Sequence, residues 1–195
     1  MRVNVPWVKS WKGAMLLLVL VIVVALVALH SLGAGSGIPP DQIETIAVRH
    51  ENESSFNVGP STDEGSRLLS KCEDVLSNLY AIAKGILFEN DVTEVREKYA
   101  YVEIIFKEKY NVPIHVLWSD TREIPSSRVL FVLSGGPPDG YRGSVFFRSA
   151  EPSPSDNSFM WGWFTVGPSD QTCWLIFQDL INTVNEIQGV LSFSC

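Results

Sequence analysis

The apolar and polar positions of this 195-residue chain fall into three unlike regions. Residues 1–13 are mixed and carry Arg2, Lys9 and Lys12. Ala14–Leu29 then reads AMLLLVLVIVVALVAL, with no charged or strongly polar residue, and apolar character resumes at Leu32. Counted as residues 14–34, the stretch meets the roughly 20 residues that an α-helix needs to cross about 30 Å of hydrocarbon. Beyond a Gly/Pro-containing linker at 35–41, apolar residues recur at short periods, and residues 42–195 read as one folded domain.

Within that domain two patterns repeat at helical spacing. From the Ser61/Glu64 capping-box pair, Leu68, Leu69, Cys72, Val75, Leu76, Leu79, Ile82, Ala83 and Ile86 form one apolar face, with Gly85 expected as the C-terminal cap. Past Pro168, with Ser169 as N-cap, Cys173, Ile176, Phe177, Leu180, Val184 and Ile187 form a second face that Trp174 and Ile181 widen. Strand signals lie at Gln42–His50, Tyr99–Lys107, Ile114–Trp118, Arg128–Leu133, Gly143–Arg148 and Ser158–Val166. Glu51–Gly59 and Glu89–Lys98 read as polar connections. The expected order is β-α-β-β-β-β-β-α, an α+β domain with a mainly antiparallel sheet and both helices on one face. Connections between the later strands are too short for helical crossovers, which disfavours a parallel sheet.

Charge sets the orientation expected at a membrane. Every basic residue before the apolar run lies on its N-terminal side, and none follows until Arg49. The positive-inside rule then places the N-terminus in the cytoplasm and the domain outside, held through residues 14–34 as a single-pass signal-anchor. Trp7 and Trp11, four residues apart, suit the interfacial aromatic belt. The alternative is a cleaved signal peptide, since small residues from Ser31 to Gly35 offer cleavage positions. The net charge is −7, with all 22 acidic residues after the apolar run. A domain so acidic, with no basic stripe, is not a nucleic-acid binder.

Chemistry is sparse. The three cysteines, Cys72, Cys173 and Cys195, form no CxxC or Cys/His cluster, so no metal site is expected; outside the membrane the pattern allows a Cys72–Cys173 disulfide between the two helices and equally two buried thiols. No cofactor motif is present, and Ser134-Gly135-Gly136 lacks the Lys-Ser/Thr ending of a phosphate loop. His50 and His115 are the histidines available to a catalytic site in the domain, and no motif sets a nucleophile beside either. The feature that invites a ligand is Met160-Trp161-Gly162-Trp163-Phe164, where strand alternation puts Trp161 and Trp163 on one face. The expected function is a non-catalytic binding module for a protein or peptide partner. The alternatives are an anchored or secreted hydrolase and a structural subunit of a membrane assembly.

Whole cells labelled with an impermeant thiol reagent, with and without reduction, are expected to yield full-length protein by intact mass, with more label after reduction. A mass starting near residue 34 would replace the anchor with a signal peptide. Labelling only after lysis would reverse the orientation.

Overall fold

Among the described residues, segments rich in β-branched and aromatic residues pair into a seven-stranded, wholly antiparallel sheet, and three α-helices pack on it. The computed structural model describes residues 38–50, 53–78, 81–115, 121–135, 141–153, 159–166 and 171–192. The elements are β1 (Ile43–Arg49), β2 (Phe56–Val58), α1 (Asp63–Asn78), β3 (Ala81–Phe88), α2 (Glu89–Lys98), β4 (Tyr101–His115), β5 (Thr121–Val132), β6 (Ser144–Ser149), β7 (Met160–Val166) and α3 (Gln171–Ser192). The strand order is β2-β1-β4-β5-β6-β7-β3. The α+β class and the antiparallel run from β4 to β7 agree with the hydropathy pattern. The expected membrane segment at 14–34, with Trp7 and Trp11, lies outside the described residues. None of the described helices is long and apolar enough to cross a membrane.

Four elements differ from the expectation: the stretch Glu51–Gly59, read as a polar connection, contains the short edge strand β2, where Phe56 and Val58 turn to the core beside β1, and three others differ as follows. The first helix stops at Asn78, and Ala81–Phe88 is an edge strand paired with β7, so Gly85 lies inside a strand and caps no helix. Its apolar residues are too few to separate a period of 3.6 from a period of 2, and pairing with β7 decides between them. Glu89–Lys98 is a helix although it carries only two apolar residues, Val92 and Val95, both buried at i, i+3 spacing. Acids begin it, Arg96 and Lys98 end it, and the Asp91 carboxylate accepts the Phe88 N–H at 2.8 Å, all favourable to the helix dipole and its free N–H groups. Finally, β4 runs unbroken through Pro113. Beyond Tyr110 it pairs with β5 alone, and an outer strand spares proline's missing N–H. The core also reaches back to Ile38, inside the segment read as linker, where Ile38 is buried and its N–H meets Glu73 Oε1 at 2.6 Å.

The sheet is apolar on both faces at its centre. On one face Val102, Ile104, Val129, Phe131, Val145 and Phe147 pack under α1 and α3. On the other, Tyr101, Leu130, Val132, Phe146 and Trp161 pack under α2. Successive strand residues point to opposite faces, so neighbours such as Leu130 and Phe131 are both fully buried yet belong to different cores. The two helices expected on one face are there, as α1 and α3. Ion pairs Arg67–Glu186 (2.5 Å) and Lys71–Asp179 (3.1 Å) show that they run antiparallel. Both pairs are exposed and add little stability. The third helix covers the opposite face.

The two-sided core predicts that Leu130→Ala and Phe131→Ala are both severely destabilising, by about 2–5 kcal/mol and about 3–5 kcal/mol respectively in denaturant unfolding. A sheet covered on one face only would lose stability from one of the two and stay near wild type for the other.

Candidate functional site

The aromatic strand occupies the place the pattern gives it but not an open surface. Trp161 and Trp163 do share a face, and it is the face that α2 covers. Trp161 is fully buried, its indole N–H donates to Glu89 Oε2 at 2.9 Å, and the Arg96 guanidinium lies 5.1 Å from its ring centre. Trp163 is partly buried, donates to Ser144 Oγ at 2.9 Å, and packs against Tyr141 and Phe146. Cys72 is a fully buried free thiol whose burial pushes its pKa well above the usual 9.0, so it is chemically quiet. The side chain of Cys173, in the first turn of α3 and the other half of the disulfide that the sequence allows, lies outside the described residues.

Beneath α2 runs a network of charges. Glu103, almost fully buried on β4, receives two bonds from Arg96, at 3.1 Å and 2.6 Å, with Arg128 at 3.6 Å. Glu89 receives Arg96 at 3.2 Å, Arg148 at 3.2 Å and Trp161. Each carboxylate is met by arginines, which is how ionised groups are tolerated away from water. Partial burial alone would raise the Glu89 carboxyl; the bonds from Trp161, Arg96 and Arg148 outweigh it and hold the group below its ordinary value of 4.5. This network attaches a helix that has only two buried apolar side chains.

A cleft lies elsewhere, between α3 and the β5–β6 connection. It has a volume of about 380 Å³, within the range of about 300–1,000 Å³ common for small-molecule sites. Ala100, Leu133, Ile181 and Val184 supply apolar wall, and His50, Ser134, Arg142 and Asn185 supply polar groups. Their placement follows from local structure. Trp174, Gln178, Ile181 and Asn185 stand at i, i+4, i+7 and i+11, one stripe along α3. Trp174 lies under the Arg142 guanidinium at 5.7 Å, and Arg142 Nη2 reaches Gln178 Oε1 at 3.5 Å. Asn185 Oδ1 meets His50 Nε2 at 3.1 Å. With the amide oxygen toward the ring, Nε2 is the donor in this bond.

Two glycines let the β5–β6 connection pass this close. Gly135 has φ +102°, and a Cβ there would stand 2.9 Å from the Tyr99 ring; Gly143 has φ +77°, with its Cβ position 3.2 Å from Trp174. Ser134 Oγ accepts the Ala100 N–H at 2.9 Å, which extends the β4–β5 junction and fixes the hydroxyl at the cleft. Sequence reasoning singled out His50 and Ser134-Gly135 separately and did not bring them together. Asn185 and Arg142 were missed. The one local signal for them was a stripe on α3 that mixes Trp174, Gln178 and Asn185 with apolar residues.

The cleft offers an N–H/O–H-rich rim over an apolar wall. No hydrogen bond joins His50 to Ser134 among the described residues, so the serine has no base in contact with it. Among the described residues, no group of three or more His, Cys, Asp or Glu side chains is placed to hold a metal ion.

The Glu89 contacts generate a pH dependence of definite sign. A carboxyl depressed on folding contributes stability above its unfolded pKa and loses that contribution as pH falls through its folded one. Glu73, raised by burial against the Ile38 N–H that lowers it, acts in the opposite sense and cancels when wild type is compared with Glu89→Gln. The stability difference between these two proteins is expected to be constant above about pH 5 and to shrink as pH drops below 4.5, read from urea midpoints. A difference independent of pH down to about pH 3 would remove the charge from the account. No known protein family, curated protein or solved structure matches this chain, so its reading rests on the site itself.

Proposed function

We propose that this chain is a membrane-anchored, extracytoplasmic binding module without catalytic activity, and that its ligand contacts are made in the cleft bounded by His50, Ser134, Arg142 and Asn185. The observation that carries the reading is the cleft's make-up: a concave apolar wall with a few positioned polar groups, the usual composition of a recognition site. The anchor rests on the apolar run at 14–34 and the basic residues that precede it. With Trp161 sealed in the core, the surface for a protein or peptide partner shifts from the aromatic strand to this cleft.

A hydrolase is the second reading, and one observation favours it: a serine and an Asn-bonded histidine share the same cleft. Full-length protein in detergent, methyl-labelled for NMR, separates the two. A library of small acids, amides and alcohols is expected to shift the methyl signals of Leu133, Ile181, Val184 and Ala100 while an activated ester turns over no faster with wild type than with Ser134→Ala. Ester turnover that disappears in both Ser134→Ala and His50→Ala would establish the hydrolase. Shifts confined to residues away from these methyls would remove the cleft as the site.

A further inference from the structure

The reading of the cleft as a binding site leaves its ligand class open, and the charges around it narrow that class. The chain is strongly acidic, yet among the described residues no Asp or Glu lines the cleft, and one lining residue is an arginine. Among the described residues, Arg67, Arg96, Arg128 and Arg148 each pair with a carboxylate and Arg49 donates to the backbone carbonyls of Glu53 and Arg96, whereas Arg142, the arginine that lines the cleft, meets an aromatic ring and an amide oxygen. Those two contacts hold the guanidinium without neutralising it. Among the described residues nothing else bonds its N–H groups, and their fork geometry suits carboxylates. Ser134, whose oxygen accepts the Ala100 N–H, keeps its own O–H proton to donate.

The rest of the wall selects among anions. Ala100, Leu133, Ile181 and Val184 present hydrocarbon that a bare, doubly charged phosphate would have to be desolvated against, with one arginine to compensate. A single carboxylate on an apolar body satisfies both halves of the site. We infer that the cleft binds a monocarboxylate carried on an apolar group, with Arg142 and Ser134 holding the carboxylate and Leu133, Ile181 and Val184 the hydrocarbon. A free carboxylic acid and the C-terminus of a peptide ending in an apolar residue share this chemistry.

The test uses full-length, methyl-labelled protein in detergent with three probes: hexanoate, N-acetyl-Ala-Leu with a free C-terminus, and the same dipeptide as its amide. Saturable shifts of the Leu133, Ile181 and Val184 methyls with a free acid are expected. Loss of roughly tenfold or more in affinity is expected for Arg142→Gln, and for the amide relative to the acid, from the strength of a charge-assisted hydrogen bond. Hexanoate binding as well as the peptide identifies a free acid as sufficient; binding of the peptide acid alone identifies a chain terminus, and both outcomes support the inference. Arg142 is exposed, so the variant is expected to keep the wild-type methyl spectrum; Ser134→Ala gives an independent, smaller loss. An amide that binds as tightly as the acid, or an Arg142→Gln affinity equal to wild type, overturns the carboxylate inference while leaving the cleft as a binding site. If neither acids nor the amide move these methyls, the inference and the binding reading of the cleft fall together.

Discussion

The constraint on which the structure depends is the two-sided burial of its central strands. β4, β5 and β6 carry large apolar residues at successive positions, so neither face can be left to water. One face takes α1 and α3, amphipathic helices packed against each other and the sheet. The other must be covered as well, and among the described residues the ten-residue helix α2, between β3 and β4, covers it. The chain path follows from this. From the β1–β2 edge it crosses one face as α1 to reach β3 at the far edge. It then returns across the other face as α2 to β4, in the middle of the sheet.

α2 is an unusual cover because its own hydrophobic content is so low. Val92 and Val95 make the apolar contact, and the rest of the attachment is made by arginines and glutamates facing one another across the helix–sheet boundary. Such a network demands complete pairing, since a buried charge left alone costs far more than a missing apolar contact. Glu103 is the focus. It stands on β4 among residues that would suit hydrocarbon, and Arg96 from the helix and Arg128 from β5 compensate it. The interaction therefore fixes where α2 sits as well as whether it stays. It is also why Trp161 is sealed, with its N–H taken up by Glu89.

The cleft lies on the other side of the sheet's economy of residues. Where α3 leaves the tightly packed centre, it presents Trp174, Gln178, Ile181 and Asn185 to the end of β1 and the β5–β6 connection. The connection can approach because Gly135 and Gly143 adopt backbone angles and accept distances that a side chain would not. The polar groups are thus set by the end of β1 and the face of α3 on one side and by Ser134 and Arg142, at the two ends of the connection, on the other.

By itself, the sequence determined the parts of this protein that depend on local periodicity. The faces Leu68–Leu76 on α1 and Phe177–Ile187 on α3, the strands around Val102 and Leu130, and the antiparallel order of the later strands follow from apolar spacing and short connections. The apolar run at 14–34 is equally plain as a sequence property. Only the tertiary structure decided the rest. Ala81–Phe88 fits a helix and a strand, and β7 supplies the hydrogen bonds that choose the strand. Glu89–Lys98 looks like a solvated connection because its partners, Glu103 and Arg148, lie on other strands. His50, Ser134, Arg142 and Asn185 are separated by up to 135 positions, and no local spacing can announce a site that exists only when the end of one strand, one connection and one helix face come together.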